Sequence, residues 1–397
     1  MLRIGPGEVQ AAIDAEDGVR VEGAAPGARV EVRAELELCG QEWSCTGEYV
    51  ADASGRVDTA TDPSVGGDYR GVDAFGLYWS AGAAGFYEWS LLTPMQVAVT
   101  ATSDGQTVET RWERRWLGEG ATYRDVEEEG VVGRLFLPPD PQDAPALVIL
   151  AGSQGGLGGP SAAALLTGHG IAALALAHWR YPGTPDRLRD IPIEVVGRGC
   201  DWLRRQPGVA DRRPTVLGIS RGGELALLAG AYLPEQVGHV VSDVGSGVPW
   251  GALGPGTDVN ETAWTFRGEP VAQIYEDEED PDRILDFPEW VTRTEIPVER
   301  CSGRVLLLSG DDDQVWSSTR LSEIARQRAM RYGAGDRVEH VVQPDAGHAA
   351  GAPPGYPVPE DVVAGSDGFS FSFGGSRAGN QAARRDAWRR LIDLVRA

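Results

Sequence analysis

Residues 217–225 read LGISRGGEL, where an apolar run meets a helix-forming run and one serine stands between two glycines. The spacing Gly218-Ile219-Ser220-Arg221-Gly222 is G-x-S-x-G. In that pattern a strand turns sharply into a helix and the central side chain is held in a strained, exposed position. A serine presented this way is the expected nucleophile of an acyl transfer, and the bland reading is an ordinary Gly/Ser turn. Which of the two applies depends on what the rest of the chain supplies.

Working outward, the segment sits in a series of near-continuous apolar runs. These are VVGRLFLP (131–138), ALVILAG (146–152), IAALALA (171–177), PTVLGI (214–219), HVVSDV (239–244), RVLLLSG (304–310) and RVEHVV (337–342). Helical patterns fall between or after them, such as IEVVGRGCDWLRRQ (193–206) and NQAARRDAWRRLIDLVRA (380–397). Buried strands alternating with helices predict a mostly parallel sheet covered on both faces. Residues 119–397 are therefore expected to form an α/β domain. Residues 248–298 interrupt the alternation, being rich in Gly, Pro, Trp and acid, and are expected to be an insertion lining the site, with the acidic run YEDEEDPDR (275–283) a solvated loop. Before residue 118 the pattern differs. ARVEVRAELEL and MQVAVTATS alternate apolar and polar residues between turns such as APG, ADASG and DPSVGG. Period-2 runs with a turn every ten or so residues predict an all-β sandwich over residues 1–118, with no competing helix.

The 397 residues allow two cores. All 36 basic residues are arginine, and the net charge of −23 argues against nucleic acid and against an anionic membrane surface as partners. The start MLRIGPGEVQ is unlike a signal peptide, and no stretch approaches the ~18 apolar residues of a membrane span, so a cytoplasmic location is expected. Four cysteines, Cys39, Cys45, Cys200 and Cys301, are too few and too scattered for a disulfide scaffold or a zinc site. Cys39 and Cys45 are close enough in sequence to face each other across a hairpin, with free thiols the favoured reading.

A serine hydroxyl needs a base within hydrogen-bond reach and a group that orients that base. Of five histidines, His340 and His239 fall in strands, His169 ends a helix in TGHG, and His178 follows IAALALA at the expected pocket mouth. His348 stands in QPDAGHAAG, a polar loop after the last core strand, where α/β sheets do their chemistry, and is the candidate base. For the orienting acid, VLLLSGDDDQVW offers three aspartates. Asp313 is the choice, because QVW behind it can begin a helix, and Asp312 is the runner-up. The chain order Ser, Asp, His is that of α/β-hydrolases and differs from the orders of trypsin-like and subtilisin-like proteases. Oxyanion donors are expected from the Arg221 amide and from Ser153 or Gln154 in the glycine-rich loop GSQGGLGG (152–159), which lacks the G-K-[ST] ending of a phosphate cradle. His178, Arg180 and Trp250 are candidate pocket residues. No metal or organic cofactor is implied.

At this point the residues resemble the family of acyl-CoA thioesterases and bile acid-CoA:amino acid N-acyltransferases, over nearly the whole chain. YVADASGRVDTATDPSVGGDYRGVDAFGLYWS and RWERRWL look like that family's immunoglobulin-like N-terminal domain. GISRGGELALL, IPVERCSGRVLLLSGDDDQVWSS, PDAGHAAGAPP and FGGSRAGNQAARRDAWRRL look like its hydrolase domain. The resemblance implies Ser220 as nucleophile, Asp313 as acid and His348 as base. It implies hydrolysis rather than conjugation, since members with serine tend to hydrolyse acyl-CoA and members with cysteine tend to transfer the acyl group to glycine or taurine. The expected partner is a small acyl thioester, its thiol leaving without much acid assistance. Two other readings stay open: an esterase or acyltransferase of secondary metabolism using the same three residues, and a non-catalytic binding protein that keeps the fold.

Overall fold

The computed structural model describes residues 1–6, 12–82, 92–258, 260–274, 281–351, 353–358, 362–364 and 370–397. The heart of the acidic run, 275–280, lies outside them.

The N-terminal strands form two antiparallel sheets. One has five strands in the order 66–67, 41–50, 29–38, 95–103, 106–114, and the other has three, in the order 3–6, 19–22, 56–58. Strand Arg29–Leu38 shows why: its side chains alternate exposed and buried along the whole run, and period-2 apolarity has one face to bury. Val30, Val32 and Leu36 from the first sheet and Val19, Val21 and Val57 from the second share one core, which makes a sandwich. Where the sequence offers no helical pattern the structure has one turn of helix, Gly76–Trp79. Just ahead of it Asp73 accepts the Phe75 N–H (3.0 Å) and the Trp79 indole N–H (2.8 Å), a local Asx turn that hydrophobic periodicity does not register. Cys45 meets no cysteine: its buried thiol donates to the Leu77 carbonyl.

A further sheet has eight strands: β1 (Thr122–Glu128), β2 (Val131–Leu137), β3 (Ala146–Leu150), β4 (Ala172–Leu176), β5 (Thr215–Ile219), β6 (Val240–Asp243), β7 (Val305–Gly310) and β8 (Val338–Gln343). Their order is β8-β7-β6-β5-β3-β4-β2-β1. Strands β3 to β8 run parallel, with β2 antiparallel to β4 and β1 antiparallel to β2. The helices that matter here are α1 (Pro160–Gly168), α2 (Glu194–Leu203), α3 (Arg221–Tyr232), α4 (Pro288–Thr294), α5 (Ser318–Arg331) and α6 (Arg377–Arg396).

Alternate residues of the central strands enter different cores. Leu147 and Ile149 pack in one cluster with Leu165 of α1 and Trp388 of α6. Val148 and Leu150 pack in the other with Val196 of α2, Leu225 of α3 and Ala325 of α5. Because both faces are covered, the strands read as continuous apolar runs. The first of these clusters also contains the sandwich core, so the antiparallel region packs directly on the face bearing α1 and α6. Within 248–298 the chain is partly regular: Trp264–Phe266 pairs in parallel with Ile191–Pro192 and antiparallel with Glu269–Pro270, and α4 follows.

Candidate active site

The parallel strands present their C-terminal ends along one edge, and at the end of β5 the chain turns into α3 through Ser220. This residue has φ 56° and ψ −122° and is 7% exposed. A non-glycine residue held there is strained by about 1–3 kcal/mol, and the surroundings impose it. The Ser220 N–H donates to the Asp243 carbonyl at the end of β6 (2.8 Å), and its own carbonyl accepts the Gly223 N–H (2.8 Å). The two glycines of the pattern serve close approach. A Cβ on Gly218 would lie 1.8 Å from the Gly222 carbonyl oxygen, and one on Gly222 would lie 2.5 Å from that of Ala151.

His348 lies in the loop after β8. Its main-chain N–H donates to the Phe373 carbonyl (2.7 Å), and its ring stacks on Phe373 at 6.3 Å with an 8° interplanar angle. Trp316 meets the ring edge-on at 6.1 Å and in turn lies 6.1 Å from Trp250. His348 Nδ1 is 2.8 Å from Asp313 Oδ2, and both side chains are buried. Asp313 Oδ1 accepts the N–H groups of Val315 (3.0 Å) and Trp316 (3.3 Å), so the QVW segment fixes the carboxylate from behind.

The three consecutive aspartates take three directions. Asp312 accepts the Gly375 N–H (2.9 Å) and the Gln314 amide, and Asp311 accepts the Asp345 N–H (2.7 Å). Gly374 bridges to Asp313 and Gly375 to Ala346, which clamps the segment ahead of α6 across the acid and base loops.

The other histidines have partners elsewhere, with one exception. His340 bonds Ser309 (2.9 Å), His239 accepts the Arg304 N–H (3.0 Å) and His169 pairs with Asp14 (2.5 Å). His178 is 3% exposed, and neither ring nitrogen has a hydrogen-bond partner among the described residues. Burial pushes its pKa down to about 3, so the ring is neutral.

Gly152 is the residue of the glycine-rich loop that touches the elbow: a Cβ there would be 3.2 Å from Ser220 Cβ. Ser153 and Gln154 follow it and are exposed. Trp179 anchors the loop through its indole N–H to the Gly152 carbonyl (3.4 Å), and Arg180, exposed and at φ 51°, packs its Cβ against Gly155. The Arg221 side chain turns inward, donating to the Trp250 and Gly251 carbonyls (2.9 and 3.0 Å) and pairing with buried Glu224 at 3.0 Å. Glu224 also accepts the Trp250 N–H (3.1 Å) and the Trp264 indole N–H. Burial raises its pKa to about 7 against the lowering pull of Arg221. This group ties residues 250–264 to the start of α3. The inward-facing acids Glu224 and Asp243 escaped sequence reasoning, because a single acid in an apolar run carries no periodic signal. Asp313 and Gly310 line a cavity of about 600 Å³ between α4 and α5, together with Leu285, Val291, Arg320 and Arg331. Neither His178, Arg180 nor Trp250 belongs to that lining.

A mixed eight-stranded sheet, helices on both faces and a serine at a strand-to-helix elbow define an α/β-hydrolase. Its relatives are more specific. Residues 14–128 match the model described as the acyl-CoA thioester hydrolase/BAAT N-terminal region, and residues 191–396 match that of the BAAT / acyl-CoA thioester hydrolase C terminal. The chain belongs to this family. Acyl-coenzyme A thioesterase 1 of Rattus norvegicus is 30% identical over 385 residues, covering 94% of this chain and 91% of the relative. The mitochondrial acyl-coenzyme A thioesterase 2 of Homo sapiens is 29% identical over 391 residues, covering 94% and 79%. Among solved structures, an esterase of Pyrobaculum calidifontis aligns over 69% of this chain and 84% of its own, at 13% identity and a TM-score of 0.41. Among the described residues, no helix is long and apolar enough to cross a membrane.

Proposed function

We propose that the protein is a serine thioesterase that hydrolyses an acyl-CoA or a closely related acyl thioester through an acyl-serine intermediate. The observation that carries this reading is the 2.8 Å contact of His348 Nδ1 with Asp313, in a chain whose G-x-S-x-G serine is held on a strained elbow. With its Nδ1 proton held by Asp313, the neutral imidazole presents Nε2 as the acceptor. His348 takes the Ser220 proton as Oγ attacks the thioester carbonyl. The oxyanion forms against main-chain N–H groups of Arg221 and of the loop at 153–154. Collapse expels the thiolate, a good leaving group, and His348 then activates water to release the free acid. Trp250 of the insertion, His178 and Arg180 are the proposed pocket residues, with the buried His178 ring 6.0 Å from that of Trp264 in the same insertion.

Water is the proposed acceptor because the nucleophile is serine. The division into an N-terminal sandwich to residue 118 and a catalytic domain from 119 is part of the proposal, as is a cytoplasmic location. The test is a panel of acyl-CoAs and simple esters with thiol and acid detection, with and without glycine or taurine, alongside intact-mass labelling by a fluorophosphonate. Thiol release by the wild type, with one label lost in Ser220→Ala, is the expected result. A conjugate as main product, or full labelling of Ser220→Ala, overturns the assignment.

A further inference from the structure

The loop that carries His348 is laid along the N-terminal end of α6, where three residues four apart touch it in register. The Ser376 N–H, just ahead of the helix, donates to the Asp345 carbonyl (2.9 Å). Asn380 accepts the Gly347 N–H on Oδ1 (2.8 Å) and donates from its amide to the Gly374 carbonyl (3.1 Å). The Arg384 Nε–H donates to the Ala349 carbonyl (3.0 Å). Four helical residues rise about 6 Å and two residues of chain span at most about 7 Å, so the two repeats stay in step. The residues in between are held by the acid loop: the Ala346 carbonyl accepts the Asp312 N–H (3.0 Å), and His348 Nδ1 meets Asp313 (2.8 Å).

Asn380 is 3% exposed and Arg384 is fully buried. Buried charges are ordinarily paired, because an isolated one is strongly disfavoured away from water. Arg384 departs from that rule. Among the described residues Nη1 and Nη2 have no hydrogen-bond partner, and the guanidinium lies over the Tyr356 ring, 5.0 Å from its centroid. The hydrogen bond that this side chain does make is the one from Nε to the residue after His348. The neighbours of His348 in the chain, Gly347 and Ala349, have no side-chain group that could anchor the loop, so its hold comes through main-chain atoms. Those holds are Asn380 on one side, Arg384 on the other and the Phe373 carbonyl on the His348 N–H (2.7 Å).

We propose that Asn380 and Arg384 are positioning residues for the general base: from one face of α6 they fix the main chain on both sides of His348 and so hold its imidazole against Asp313. The proposal rests on the Ser220, His348 and Asp313 reading. One turn of helix separates the two side chains, so they act on the loop as a rigid pair of clasps. What Arg384 contributes is the Nε–H donor and not its charge. Because a shift of about 1 Å in a reacting group can cost about a hundredfold in rate, removing either clasp slows the chemical step while the substrate contacts remain.

The test compares wild type, Asn380→Leu, Arg384→Met and Arg384→Gln. Methionine keeps the stem of the arginine without a donor, and glutamine places an uncharged N–H where Nε stood. Turnover and KM are measured on one acyl-CoA, and kcat is divided by the end-point fraction of Ser220 that takes a fluorophosphonate, which removes misfolded protein from the comparison. Asn380→Leu and Arg384→Met are expected to lose about tenfold in kcat per labelled serine with KM within about twofold, and Arg384→Gln to stay within about threefold of wild type. A residue with a structural role alone lowers the melting temperature and leaves kcat per labelled serine unchanged. That outcome in both apolar variants overturns the proposal, as does a loss in Arg384→Gln equal to that in Arg384→Met, which assigns the effect to the charge. Where one apolar variant fails to fold, the other decides. Where both fail, wild-type kcat in Arg384→Gln supports the proposal and a loss of about tenfold overturns it. Failure to label Ser220 in the wild type instead removes the reading beneath.

Discussion

Replacing Asp313 by asparagine changes one atom of the site and almost none of its volume, and the contacts on each oxygen set the size of the effect. Oδ1 accepts two main-chain N–H groups, from Val315 and Trp316, and an asparagine keeps both by placing its carbonyl oxygen there. Its NH₂ must then face His348 Nδ1, where Oδ2 lies 2.8 Å away in the native protein. A donor now opposes a donor. The imidazole answers by moving its proton to Nε2, and the nitrogen meant to take the serine proton no longer accepts. By analogy with the wrong-tautomer case of the serine proteases, kcat is expected to fall on the order of 10⁴, about 5 kcal/mol of barrier.

Asp312 lies one residue away with its carboxylate on the Gly375 N–H and the Gln314 amide. Asp312→Asn forfeits one such bond, worth about 1 kcal/mol of stability, and is expected to change kcat less than tenfold. Steady-state thiol release with both variants, matched by thermal melts, separates the two. A larger loss at Asp312, or equal losses, refutes the tautomer argument.

Gly218→Ala is expected to destabilise the fold by about 1–3 kcal/mol and to slow fluorophosphonate labelling of Ser220, because the added Cβ would meet the Gly222 carbonyl at 1.8 Å and force the elbow open. Urea unfolding and labelling rates check it, and an unaffected rate would show the elbow geometry to be dispensable. For a chain of net charge −23, KM for a polyanionic acyl-CoA is expected to fall as salt rises from about 0.01 to 0.15 M, where the screening length shrinks from about 30 to 8 Å. The corresponding N-acetylcysteamine thioester should show little change, and a KM for acyl-CoA that rises with salt would mean that a local arginine cluster outweighs the overall field. Burial, followed by the charge of Asp313, raises Asp243 from 3.8 to about 7. The folded chain therefore holds this proton more tightly than the unfolded chain, and stability from this group falls as pH rises through that window, by a few kcal/mol at most. Asp243→Asn is expected to flatten stability between pH 5 and 8, and chemical denaturation at the two pH values with an unchanged slope would refute it.

The sheet strands were legible in the sequence because each is buried on both faces. IAALALA and RVLLLSG have no polar side to hide, and the structure places strands at Ala172–Leu176 and Val305–Gly310 within them. The alternation of ARVEVRAELEL was legible for the opposite reason, one wet face and one dry. Ser220 and His348 stood out because the first lies between glycines at a strand-helix junction and the second in a loop after the last strand, both local patterns. Local pattern could rank Asp313 above Asp312 but not decide between them, since three adjacent aspartates have one composition and three directions. Only the folded loop, with Val315 and Trp316 behind one carboxylate and Gly375 on the next, sends Asp313 to the histidine and Asp312 away from it. The helix at Gly76–Trp79 is a single turn of four residues following an Asp73 side-chain contact, too short to leave a mark in the apolar pattern. Asp243, Glu224 and the aromatic wall of Trp316 and Phe373 around His348 come from segments distant in sequence. Their burial and pairing exist only once β6, α3 and the loops at the sheet edge are packed together, because desolvation and contact are properties of the assembled site and not of any single stretch of chain.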